Sequence, residues 1–457
     1  MSAQYKKNSY NLVEGSIQKS LIRMTTPMIV GMLMLFTFSL VDTLFISFLG
    51  TESLTAISFT FPVTFTIMSL AIGLGIGASA VVGKYLGRSD FEKAKEAATV
   101  INYVSLGLAI ILVAICWTFM NQIFGLMGAS EELMVHIRRY MTVWFPGSVL
   151  VVSIMTANSI LRACGDTKTP SILMAAAGLL NAILDPILIF GPGPLPALGI
   201  QGAAWATVLA WGSSYTFLMY LLVFKQELVS AKLPSKAVMF SSGREMLRIG
   251  VPAAGANMMT PLAMGVMTAI AASFGDTAVA AFGVGARIEP IATLIVLAMS
   301  SSLPPLISQN YGAGRIDRVE EAYKMAIRFI IGWQMLVYVL LALGASLIAN
   351  VFSNDPAVIS TIRIFVWILP IGYGMQGIII LTNSSLNAMH RPMSALYLSA
   401  MRFFIFYVPL AYIGSLFFGL AGFFAGAVCG NFLMALISWR SFRSAIKVEH
   451  QLALDAA

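Results

Sequence analysis

Apolar residues dominate long stretches of this chain, and polar residues gather in short breaks between them. The stretches predict helices at about 24–48, 53–82, 98–120, 134–157, 170–190, 200–224, 247–274, 280–308, 324–349, 360–383, 394–418 and 420–440. A membrane-crossing helix needs about 20 mostly apolar residues to span a hydrocarbon core about 30 Å thick. All twelve stretches supply that length. Turn-forming residues separate them, as in Gly87-Arg88-Ser89-Asp90, the glycine- and proline-rich run at 191–199, Gly312 to Asp317, and Ser353 to Pro356. The fold class expected is all-α and integral to the membrane.

Composition excludes the soluble alternatives. Charged residues make up 11% of the 457 and hydrophobic ones 58%, whereas a soluble chain carries roughly 25% charged residues. Cys116, Cys164 and Cys429 show no Cys-x-x-Cys or Cys/His spacing, so they indicate neither a disulfide frame nor a metal site. No HExxH, GxSxG or P-loop pattern occurs, which argues against an enzyme. The first twenty residues lack a signal peptide's apolar run.

Charge changes the picture by fixing an orientation. With a cytoplasmic N-terminus, twelve spans place Lys6, Lys7, Lys19, Arg23, Lys84, Arg88, Lys93, Lys95, Arg162, Lys168, Lys225, Arg244, Arg315, Arg318, Arg440 and Arg443 on one side. The positive-inside rule favours that arrangement. It predicts a multi-pass protein of the cytoplasmic (inner) membrane with both termini cytoplasmic. Topology and anionic lipid account for the net charge of +8, with no need for a nucleic-acid partner.

The two halves repeat. Arg23 to Pro27 corresponds to Arg248 to Pro252, and Asn158 to Ala163 corresponds to Asn383 to Ala388, both at an offset of 225 (252 − 27 and 383 − 158). Gly50 with Gly275 and Gly87 with Gly312 keep the same shift. Six spans per half is an even number, so the halves enter the membrane from the same side as two parallel six-helix repeats, a plan used by secondary transporters. The expected lobes are residues 1–230, including the start of the linker, and 231–457.

Two acids interrupt this apolar background: Asp42 in the first span and Asp185 in the fifth. A charge facing lipid costs at least about 2.5–3.5 kcal/mol, so each should face a polar interior, find a partner or carry a proton. Asn181, one turn before Asp185, can offer its amide to a carboxyl group. At the equivalent positions of the second half stand Met267 and Leu410, so the scaffold itself does not require these charges. The two readings are structural hydrogen bonding at helix contacts and proton loading coupled to movement. Pro27 allows a bend in the first span, and Arg287 with Glu289 forms a second charged spot, read as an interfacial ion pair.

Taken together, the chain resembles the multidrug and toxic compound extrusion (MATE) family along its whole length. The matching features are Pro27 with Asp42, GKYLGRSD and QNYGAGRID after spans two and eight, NSILRACGDTKTP and NSSLNAMHRP after spans four and ten, Asn181 with Asp185, and GIQGAAWAT in span six. The resemblance implies a secondary antiporter that exports amphipathic, mostly cationic drugs or dyes by alternating access, in exchange for protons or, alternatively, sodium. It works without a cofactor, in contact with membrane lipid and as a monomer. The first-half acids look like the DinF-like branch, in which Asp42, Asp185 and Asn181 couple to the cation and Asn158 and Thr207 line the cavity. A lipid or lipid-linked saccharide flippase of the same superfamily is the alternative, disfavoured because the interior charges read as acidic.

Overall fold

The computed structural model describes residues 11–191, 196–230, 232 and 234–455, without the side chains of Leu54, Ala453 and Leu454. Lys6, Lys7 and part of the 191–199 turn lie outside the described residues. Contacts divide the chain into two compact units, one built on Thr26–Ala254 and the other on Gly15–Thr25 with Gly255–Ala457.

The first repeat forms α1 (Ile17–Ser47), α2 (Thr51–Gly87), α3 (Phe91–Thr118), the short α4 (Met120–Leu126), α5 (Glu131–Ala163), α6 (Lys168–Phe190) and α7 (Ile200–Tyr220), which runs on as a π-helical turn, Leu221–Lys225. The second forms α8 (Lys236–Ala272), α9 (Asp276–Ala292), α10 (Leu294–Gly312), α11 (Ile316–Leu343), α12 (Ala345–Phe352) and α13 (Pro356–Ile368). A 3-10 turn, Leu369–Gly372, joins α13 to α14 (Tyr373–Ala388). Then α15 (Pro392–Met401) leads through a π-helical segment, Arg402–Tyr407, into α16 (Val408–Asp455).

Among the described residues ten helices are long and apolar enough to cross a membrane, and α9 with α10, bent by 45°, makes an eleventh span. Pro392–Leu452 holds two spans, because Phe418 and Gly419 leave helical backbone inside it. Gly419 adopts φ +59°, which only glycine does without strain. The twelve expected spans are therefore present, and the last break falls between 418 and 420, as the sequence predicts.

The helices overrun the predicted stretches at polar ends. Helix α3, for example, starts at Phe91 because Asp90 caps it: the Asp90 carboxylate accepts from Lys93 N at 3.2 Å and pairs with Lys93 Nζ at 2.8 Å. Span eight differs more. Pro290 lacks an N–H and the helix breaks at Thr293, where the Ala292 carbonyl accepts from Gln334 Nε2 at 3.1 Å.

In the first unit α2 and α5 share the most extensive contact, and small residues allow the close approach. A side chain at Gly75 would meet Ser159 Oγ at 2.6 Å. Buried Ala, Val and Ile residues of α2, α3 and α5 form its core. The core of the second unit is richer in aromatics, with Phe365, Tyr373, Phe403, Tyr407, Phe423 and Phe424 packed together.

Candidate functional site

Helices α1 and α6 lie side by side in parallel, and their glycines set the register. A Cβ at Gly31 would meet the Ser171 Cα at 3.0 Å, and Ser171 Oγ donates to Met28 Sδ at 3.5 Å. Two turns on, the Phe38 ring occupies the notch left by Gly178. Beyond that notch Asp42 of α1 comes against Asp185 of α6, each five residues from its helix end (47 − 42 and 190 − 185), and the two carboxyl groups are direct neighbours.

Asp185 is fully buried. Both of its carboxyl oxygens and Oδ1 of Asp42 are sealed from solvent and receive no hydrogen bond from any residue outside the pair. A buried polar group left unpaired costs roughly 1–3 kcal/mol, and more when charged. The α5 phenol of Tyr140 is within electrostatic reach of both acids. Tyr140 is the member of this cluster that the sequence reading missed, because a lone tyrosine in a span carries no distinguishing pattern.

Asn181 is buried in the same part of α6, but its amide does not serve Asp185. Its Nδ2 donates to Thr207 Oγ1 of α7 at 3.3 Å, and Thr207 Oγ1 donates to the Ala203 carbonyl at 3.1 Å. The structure thus gathers Asp42, Asp185, Asn181 and Thr207 at one end of the helices. Asn158 is elsewhere: buried and with an unpaired Oδ1, it follows Tyr140 by eighteen residues on α5 (158 − 140), about 27 Å along a straight helix. Pro27 lies inside an α1 that runs unbroken from Ile17 to Ser47.

The charged spot at the end of α9 is not an ion pair. Residues two apart point to different sides of a helix, and here Arg287 is exposed while Glu289 Oε1 accepts from Gln376 Nε2 at 2.7 Å. Arg402, 8% exposed in the π-helical segment, also shows that the buried charges are not all acidic. No cluster of His, Cys, Asp and Glu fit to hold a metal occurs among the described residues.

A family profile described as MatE matches the chain twice, over residues 27–187 and 252–413. The two matches start 225 residues apart (252 − 27), the offset of the internal repeat. The chain belongs to the MatE family. It is a multi-pass membrane protein and a secondary transporter, not an enzyme, and transport in this family is coupled to an ion.

Among curated relatives, an FAD transporter of Shewanella oneidensis is 40% identical over 434 residues, covering 94% of this chain and 95% of the relative. The multidrug export protein MepA of Staphylococcus aureus is 26% identical, covering 93% and 94%. Among solved structures, the MATE transporter VcmN of Vibrio cholerae in its bent form is 31% identical, with a TM-score of 0.90 over 98% of this chain and 99% of that one.

Proposed function

We propose that the protein is an ion-coupled exporter whose substrate is a large aromatic anion of the flavin dinucleotide class, driven by protons held at Asp42 and Asp185. The observation that carries the coupling reading is the pair itself: two carboxyl groups side by side, Asp185 buried and Asp42 half-buried, with no donor from outside the pair. Two such groups cannot both stay ionised at contact distance. A proton entering the pair removes a charge from the interior, and releasing it restores one. Sodium is a weaker fit because Asn181, the nearest amide in sequence, is already engaged with Thr207. The same acids support the DinF-like assignment.

The substrate reading is supported by the FAD transporter relative at 40% identity, against 26% for the multidrug exporters. Cationic drugs are the second reading, favoured by the acidic character of the Asp42–Asp185 pair. The lysine and arginine bias supports cytoplasmic termini in the inner membrane, and each chain holds a complete Asp42–Asp185 pair of its own, in keeping with a monomer.

The test is transport by purified protein in liposomes under an imposed pH gradient or an imposed sodium gradient, with FAD and ethidium as alternative cargo. Proton-driven movement of FAD, lost in a folded Asp42→Asn variant, is the expected result. Undiminished proton-driven transport by Asp42→Asn would remove the coupling role, and movement of ethidium alone would transfer the assignment to the cationic reading.

A further inference from the structure

A second polar cluster lies inside the second unit, away from the acids of the first. It draws on α9, α14, the π-helical segment and α16. Glu289 closes the last turn of α9 before the 45° break and is held by Gln376 at 2.7 Å. Arg402 Nε donates to Asn431 Oδ1 of α16 at 3.0 Å, and its guanidinium lies over the rings of Phe403 and Tyr407, 4.8 and 5.7 Å from their centroids. Glu289 is within electrostatic reach of Arg402, Tyr407 and Tyr373. Tyr373 is 2% exposed, and its hydroxyl has no hydrogen-bond partner.

Arg402 has the features of a binding group rather than a structural strut. A structural buried guanidinium is normally saturated by a carboxylate, since burial of an unpaired charge is costly. Here Glu289 compensates the charge from a distance and forms no ion pair with it, while the single hydrogen bond of the side chain uses Nε. The two Nη groups, the part of the fork that binds phosphate or carboxylate in bidentate fashion, are left for a ligand. The Phe403 and Tyr407 rings beneath the guanidinium hold the fork in place. The repeat supplies a contrast: the counterpart of Arg402 in the first half is Ala177 (402 − 225), so the scaffold does not demand an arginine. Segments of π-helix and broken spans both recur at functional sites.

We infer that Arg402 is an anion subsite of the second unit, with its Nη groups taking a phosphoryl or carboxylate group of an aromatic substrate and the Tyr373 hydroxyl donating beside it. The inference deepens the flavin dinucleotide reading and rests on it for the natural ligand, but the chemistry is shared by any aromatic phosphate.

The experiment is binding to the full-length purified protein, read by tryptophan fluorescence, with FAD, ATP and uncharged riboflavin as probes. Arg402→Gln is expected to weaken FAD and ATP binding by roughly ten- to a hundred-fold, the loss of charge-assisted hydrogen bonds, and to leave riboflavin binding unchanged. If that variant does not fold, Arg402→Lys carries the test: it keeps the charge, loses the fork, and should lower affinity for both anions while riboflavin is unaffected. The inference is overturned if the folded variant binds FAD and ATP like the parent, if riboflavin weakens in the same proportion, or if the parent binds neither anion. A parent that binds ATP through Arg402 yet moves no FAD in the liposome assay supports the subsite and sinks the flavin reading alone.

Discussion

Substituting Gly178 by alanine tests whether the contact between α1 and α6 sets the carboxyl pair. A Cβ at 178 would come within 2.9 Å of Phe38 Cγ and 3.1 Å of Phe38 Cβ, with Cδ2 nearer still. Ordinary carbon contacts are about 3.5–4.0 Å, so the ring or the helix must move by roughly 1 Å. Overpacking of this kind costs about 1–3 kcal/mol, and the better helix propensity of alanine returns about 1 kcal/mol. The net loss of stability is therefore small, at most about 2 kcal/mol. The larger consequence is geometric, because Asp42 is one turn beyond Phe38 and moves with it. Proton-driven transport in liposomes should fall on the order of tenfold, in keeping with the penalty for misplacing reacting groups by about 1 Å. Phe38→Ala in the same chain removes the ring and leaves only the 3.1 Å contact to relax, so the double variant should regain most of the lost transport. Unchanged transport and unfolding temperature in Gly178→Ala, or a double variant no better than the single one, would refute this account.

Three further outcomes follow from the geometry. Tyr140→Phe removes a hydroxyl within electrostatic reach of Asp42 and Asp185 and should displace the pH profile of transport with little change in stability; superimposable profiles would place Tyr140 outside the site. Gly285→Ala forces a methyl group into the Phe365 ring and should destabilise the second unit by about 1–3 kcal/mol, read as a lower melting temperature. The capping hydrogen bonds and charge of Lys93 hold the Asp90 carboxyl below the usual carboxylate range. That cap is therefore present at neutral pH and lost as pH falls through the lowered value; the protection of first-turn amides of α3, measured relative to their intrinsic exchange rate at each pH, should fall on acidification, and Asp90→Ala should show the low protection already at neutral pH.

The spans were legible because lipid imposes length and apolarity on every one of them, and the stretches 394–418 and 420–440 leave their break at the residue where the helix is interrupted. The interruption at Thr293 was not, since Pro290 can also be carried in a continuous helix and only the Gln334 side chain, 42 residues away, satisfies the exposed carbonyl. Asp42 and Asp185 stood out as acids in apolar runs, but their adjacency depends on a helix register fixed by Gly31 and Gly178. Asn181 was expected to serve a carboxyl group because the i to i+4 spacing allows it; the competing partner, Thr207, comes from another helix. Arg402 was visible as a lone cation in an apolar stretch and was overlooked because its neighbours, Asn431 and Glu289, are distant in sequence.

The unit boundaries cut through helices and not through the linker. Thr25 and Thr26 of α1 fall in different units, as do Ala254 and Gly255 of α8, each beside a proline, Pro27 or Pro252. During synthesis the stretch Gly15–Thr25 leaves the ribosome among the first residues yet waits for its companions until Gly255 and beyond have been made. The earlier unit, in turn, remains unfinished until Ala254 emerges. Cleaving the chain in the 226–235 linker therefore yields fragments that each keep a helix start belonging with the other, and neither should mature unless both are made together.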